Sequence, residues 1–181
     1  MHTIPRTVHP ALATALAAAL LCACSSDMKK NNCPYAAALA PTTTLTAFRP
    51  DMKDDPAGEQ YTVGLTEVNT DCSFDSDNGT TDSSLELSFK AKRPPSPDAA
   101  SYKVPYFVAI TQGVQVLSKH DFWVNFSFPA GATSTSFSDS VGSTKITLEN
   151  GKKPYDYEIV VGLQLTHDQL DYNKKIRRYA P

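Results

Sequence analysis

The chain has 181 residues and a formal charge of −2, with 41% hydrophobic, 20% charged and 9% aromatic residues. That balance describes one ordinary soluble domain with extra segments, and it excludes a strongly basic nucleic-acid binder and an acidic disordered chain. The only long apolar run, 11–24, is shorter than the roughly 20 residues of a spanning helix, which excludes a polytopic membrane protein.

Residues 1–10 carry one arginine and no acid, and 11–21 (ALATALAAALL) have the length and composition of a signal-peptide apolar core. A lipoprotein peptidase requires an aliphatic residue at −3, a small one at −1 and a cysteine at +1, and Leu21, Ala23 and Cys24 occupy these places. Cys22 at −2 departs from the usual small residues but is similar in volume, and Leu21 is too large for the −3 position of ordinary signal peptidase. The reading is a lipoprotein signal peptide over 1–23 and acyl chains at Cys24 that tether the protein to one leaflet of the membrane. The mature chain would hold 158 residues, the 181 less 23, with a charge of −3 because only Arg6 is removed. Such a length buries a core unaided. Ser25 at +2 agrees with the periplasmic face of the outer membrane, and the polar, aperiodic stretch to Asn32 makes 24–32 a flexible tether in which Lys29 and Lys30 could touch anionic headgroups.

With Cys24 acylated and Cys22 removed, Cys33 and Cys72 remain as an even pair in an oxidising compartment, and a disulfide is expected. The alternative, a metal site, lacks a Cys-x-x-Cys pattern or a flanking histidine. Further on, 42–48 is a weak strand candidate. Tyr61, Val63 and Leu65 start a stronger one, whose apolar phase then jumps to Val68 and Cys72. The jump predicts a bulge near Thr66 or Glu67 that turns Cys72 inward. Strict alternation over 83–92 places Leu85, Leu87, Phe89 and Ala91 on one side. The segment 102–110 is apolar on both parities and contains Pro105, the mark of a covered strand with a bulge or an edge. Gln112-Gly113 offers a turn into 114–117. Alternation resumes over 121–128, with Phe122, Val124, Phe126 and Phe128 in phase, then weakly over 141–148, and most clearly over 155–165.

Breaks rich in Pro, Gly, Asp and Asn separate these segments at 51–58, 75–79, 93–98, 129–131 and 150–154. About seven short strands at this spacing, without a repeat, predict an all-β fold for 33–181: a single antiparallel β-sandwich of immunoglobulin or fibronectin-III type. A short C-terminal helix follows, started by a Thr166-x-x-Gln169 capping box, with Leu170 and Ile176 as its apolar face. Lys174, Lys175, Arg177 and Arg178 complement the negative end of its dipole, or else contact anionic lipid or cell-wall polymer.

Taken together, Cys33-Pro34 with Leu39, TTTLTAF at 42–48, VNTDCSFD at 68–75, VPYFVAI at 104–110, FPAGA at 128–132 and DYEIVVGLQLTHDQLDYN at 156–173 cover most of the mature chain. This pattern resembles an uncharacterised group of Gram-negative, alphaproteobacterial-type envelope lipoproteins. The resemblance implies a small lipid-anchored envelope protein without an assigned activity, and it supplies no catalytic residues.

Chemistry is sparse. His120-Asp121 and His167-Asp168 are neighbours in sequence, not dyads, because adjacent strand residues face opposite ways and a first helical turn is surface by default. No Gly-x-Ser-x-Gly elbow activates a serine and no glycine-rich phosphate loop is present. Carboxylates gather at Asp51, Asp54, Asp55 and Glu59 and at Asp71, Asp75, Asp77 and Asp82. The run Asp75 to Gly79 begins like a calcium loop but lacks the later bidentate Glu, and an Asn78-Gly79 hairpin turn accounts for it more simply. The expectation is therefore no enzyme, no cofactor, no metal and no nucleic acid. Trp123 stands apart. It lies on the polar parity of its strand, where it is either covered by a neighbouring element or exposed as a binding anchor. The leading functional expectation is an accessory or assembly factor that binds another envelope protein; the alternative is a periplasmic ligand- or glycan-binding module with a pocket near Trp123.

Overall fold

The computed structural model describes residues 33–53 and 55–176. The expected signal peptide over 1–23, the acylation at Cys24, the tether over 24–32, Asp54, and Arg177 and Arg178 lie outside the described residues.

Among the described residues, eight strands precede one helix: β1 (Tyr35–Ala38), β2 (Thr44–Phe48), β3 (Glu59–Asp75), β4 (Thr80–Lys92), β5 (Ala100–Gln112), β6 (Gln115–Phe128), β7 (Ser134–Thr147), β8 (Glu158–Leu163) and α1 (His167–Ile176). They form an all-β sandwich of two four-stranded sheets, ordered β1-β8-β5-β6 and β2-β3-β4-β7. Pairing is antiparallel except for β1 alongside β8. β2, β3 and β4 form a meander within one sheet, whereas a constant immunoglobulin domain places its second and third strands in opposite sheets.

The core comes from the phases that alternation marks. Leu85, Leu87, Phe89 and Ala91 of β4 face Val104, Tyr106 and Val108 of β5, Val124, Phe126 and Phe128 of β6, and Ile159, Val161 and Leu163 of β8. Each Val, Leu, Ile or Phe side chain among them, fully buried, contributes about 1.5–3 kcal/mol. Aromatic rings bridge the sheets: Phe126 stacks on Phe137 of β7 at 4.7 Å between ring centroids, and Tyr61 of β3 lies 4.3 Å from Tyr102 of β5.

The ladder between β3 and β4 shifts by one residue between Leu65 and Glu67, at the expected bulge. Thr66 donates its hydroxyl to the Ser88 carbonyl there. Past the bulge Cys72 pairs in register with buried Ser83 and so faces inward, where it forms a disulfide with Cys33 across a Cα–Cα distance of 5.9 Å. The turn from β3 to β4 is closed by Gly79 at φ +59° and by the Asp75 carboxylate, which accepts from the backbone N–H groups of Asp77 and Asn78 and from the Asn78 amide.

Three expectations are corrected. The segments expected at 114–117 and 121–128 join in one strand, β6, which begins at Gln115, leaves Val114 in the turn and has its own bulge at Leu117. The strand expected from Tyr155 begins only at Glu158, because Pro154–Asp156 forms a 3-10 turn in which the Asp156 carboxylate accepts from the Lys153 N–H; Tyr155 is exposed as a result. The helix docks through Tyr172 and Asn173, and Ile176 is exposed. Its capping box forms as expected, with the Thr166 N–H donating to the Gln169 side chain at 2.9 Å and the Gln169 N–H donating to the Thr166 hydroxyl at 3.2 Å.

α1 lies against β2, the outer strand of its sheet. Its Asn173 amide donates to the carbonyls of Thr44 (2.7 Å) and Pro41 (3.3 Å), its Gln169 amide donates to that of Thr46 (3.3 Å), and its Tyr172 ring meets Phe48 edge to face. The carbonyl of Thr44 would otherwise be an open acceptor on a free sheet edge, the usual template for unwanted strand pairing. At the opposite end of the sandwich from the disulfide, buried Arg93 ties two loops together by donating to the carbonyls of Ala132, Asp98 and Pro129, with its guanidinium 4.7 Å from the centre of the Phe128 ring.

Candidate interaction face

The two sheets turn different surfaces outward. On the β2-β3-β4-β7 sheet the outward rows read Gly64-Lys90-Ser136, Thr62-Lys92-Ser134, Glu67-Ser88-Ser138 and Asn69-Glu86-Ser140. Every side chain in them is polar. On the β1-β8-β5-β6 sheet the outward rows pair Pro105 with Trp123, set Gly162 and Asp121 on either side of Phe107, and set Val160 and Lys119 on either side of Ala109. This outer face is apolar at its centre.

Trp123 is 55% exposed, and neither α1, which packs on β2, nor the facing sheet covers it. The Lys103 ammonium lies 4.7 Å from the centre of its ring, a cation–π contact that orients the indole on the surface. The Phe107 ring packs against Gly162, where an added Cβ would approach the ring edge to 2.9 Å, and the Lys119 ammonium sits 4.9 Å from the ring centre. Lys119 also binds Asp121 at 3.2 Å and the Gln164 side chain. Trp123 is thus the exposed end of an otherwise well-packed apolar strip.

Pro105 is not at a bulge. Its carbonyl accepts from the Gln164 N–H at 2.9 Å, so its imide nitrogen faces the same neighbour at the point where β8 has just ended. A residue lacking an N–H fits where the ladder stops. Outward burial of Phe107 and Ala109 was signalled by the apolar character of 102–110 on both parities; that Pro105 would sit beside Trp123 had no signal, because it depends on register.

The long strands β6 and β7 form the outer edges of their sheets on the same side of the sandwich. β7 carries an inward-pointing acid, Asp139, which accepts from the buried Tyr106 hydroxyl at 2.9 Å and from the Ser140 N–H. An inward charge on an edge strand discourages pairing with another chain. Burial, then the hydrogen bond to Asp139 and its negative charge, push the Tyr106 hydroxyl far above the ordinary tyrosine range.

The other candidate residues do not converge. His120 lies exposed on β6 and His167 exposed at the start of α1. Among the described residues no three of His, Cys, Asp and Glu gather as a metal site, and no helix is long and apolar enough to cross a membrane. Asp75 spends its carboxylate on its own turn, whose hydrogen bonds from Asn78 and Asp77 hold it below the ordinary aspartate range. The chain was compared with family models, curated proteins and solved structures, and none matches.

Proposed function

We propose that the protein is a non-enzymatic component of the cell envelope, held by acyl chains at Cys24 on the periplasmic face of the outer membrane. There it acts as an accessory or assembly factor that docks another envelope protein on the outer face of the β1-β8-β5-β6 sheet. The observation that carries this reading is the contrast between the two outer faces: one wholly polar, the other apolar at its centre and ending in exposed Trp123. An exposed indole beside a packed apolar strip is the kind of residue that dominates binding energy at protein interfaces. Trp123 is the anchor in this reading, with Pro105 and Lys103 fixing its position and Phe107 and Ala109 supplying a rigid floor.

The test is crosslinking in intact cells, affinity purification of the acylated protein and mass spectrometry of what accompanies it. A stoichiometric envelope protein is expected, lost with Trp123→Ala and kept with Glu86→Ala on the polar face. Retention of the partner by Trp123→Ala would refute the assignment of the face. Recovery of the protein alone, with Trp123 protected by a glycan on an array, would replace it with the ligand-binding alternative.

A further inference from the structure

Exposed apolar side chains gather at one end of the sandwich, the end at which the described chain begins. Register places Tyr35 of β1, Glu158 of β8, Thr111 of β5 and Val116 of β6 in one cross-strand row. At about 4.8 Å per strand the row is about 14 Å long. Tyr35 stands at one end of it, 68% exposed, and Val116 at the other, 60% exposed. Beyond Val116 projects the turn from β5 to β6, closed by Gly113 at φ +57°, with Val114 fully exposed at 105% and Leu117 also exposed. Tyr155, exposed in the connection from β7 to β8, belongs to the same end, as do Lys152 and Lys153. Cys33 enters two residues before Tyr35 and is pinned to β3 by its disulfide.

We infer that this end of the sandwich rests on the bilayer that holds the anchor, with the 112–117 hairpin inserted at the headgroup boundary. The inference rests on acylation at Cys24. The nine residue steps from Cys24 to Cys33 reach at most about 30 Å when fully extended, so the anchor confines this end, and not the Arg93 end, to the membrane's neighbourhood. An exposed valine pair on a tight turn has no packing role in the fold, whereas transfer into the interface removes its apolar surface from water at little ordering cost, because the turn is already rigid. Lys152 and Lys153 share their connection with Glu149 and Asp156 and lie near Glu158 of the row, so the contact is carried by the exposed apolar side chains and not by net charge. Contact therefore runs along the Tyr35-to-Val114 end of the sandwich; Tyr35 and Val116 project from the same outer face as Trp123, which lies farther along β6 toward the Arg93 end and stays clear of the bilayer.

The test uses the full chain, purified from membranes, with Val114→Cys or, at the far end, Ala130→Cys as the only free thiol, since Cys33 and Cys72 are paired. Each is labelled with an environment-sensitive fluorophore and reconstituted into vesicles of phosphatidylethanolamine and phosphatidylglycerol that carry nitroxide-labelled acyl chains. Intact mass and vesicle flotation are measured on the same samples. The expected result is an acylated, floating protein whose label loses most of its emission at position 114 and keeps it at 130. An acylated, floating protein with equal emission at both positions would overturn the inference and leave the anchor standing. A mature chain without acyl mass would overturn both.

Discussion

The docking of α1 on β2 gives the sharpest test of how the fold is held. Asn173 is 1% exposed, and its amide is the donor for the Thr44 carbonyl and, at longer range, for that of Pro41. Asn173→Ala removes both bonds. Pro41 is half-buried and can take a water, but Thr44 is buried. A buried carbonyl left without a donor costs about 1–3 kcal/mol, so the loss should be about 2–3 kcal/mol once the small cavity is added. For a domain of this size that corresponds to a fall in Tm of about 5–10 °C. The assay is urea unfolding followed by circular dichroism, with amide exchange of 167–176 to detect undocking of the helix on its own. Asn173→Asp sharpens the test, since an ionised carboxylate would face two carbonyl oxygens with no proton to donate. That environment raises its pKa above the unfolded value of about 3.9, so its stabilisation is present below that value and lost as pH rises through the folded one. The Asp variant should be the worse of the two at neutral pH and recover on acidification. Both variants should show concentration-dependent self-association, because the β2 edge is uncovered. An Ala variant within about 0.5 kcal/mol of the parent, with an Asp variant no worse, would refute the edge-capping role of the helix.

Replacing Cys33 and Cys72 together by serine opens a loop of 39 residues and should cost about 4 kcal/mol by the chain-entropy model, read as a drop in urea midpoint that a reductant reproduces in the parent. Gly162→Ala puts a methyl against Thr42 and within 2.9 Å of the Phe107 ring edge, and should cost about 1–3 kcal/mol in thermal unfolding, whereas Gly142→Ala, with open space at its Cβ, should cost little. Tyr106 and Tyr61 are both held above the ordinary value of 10.0, Tyr106 by burial and Asp139, and Tyr61 by burial and then Tyr102. The unfolded chain ionises first, so the stability they contribute is full below about pH 10 and is lost as pH rises beyond it. Tyrosinate absorbance should show two groups that titrate late and together with unfolding. The sole tryptophan, Trp123, should emit at long wavelength and be quenched by iodide in the folded protein, and a blue-shifted, protected signal would contradict its exposure.

Much of the strand content follows from period-two alternation, because a half-buried strand writes its two environments into alternate residues. Leu85 to Ala91 and Phe122 to Phe128 are core for that reason, and the phase jump after Leu65 located the bulge and turned Cys72 toward Cys33. The capping box at Thr166 and the turn at Gly79 are local chemistry, complete within five residues, and so were readable too. What only the tertiary structure decided depends on partners distant in the chain. β1 is four residues of tyrosine and alanine with no alternation, a strand only because β8 pairs with it. The helix docks by polar Asn173 because it meets open carbonyls on β2, which an apolar pattern cannot encode. The candidate site divides in the same way. Outward placement of Trp123 was set by the parity of its own strand, whereas its exposure, its neighbour Pro105 and its lysine came from strand register and from α1 lying on the other sheet. Sequence periodicity reports which way a side chain points. Only the assembled sheets determine what it meets there.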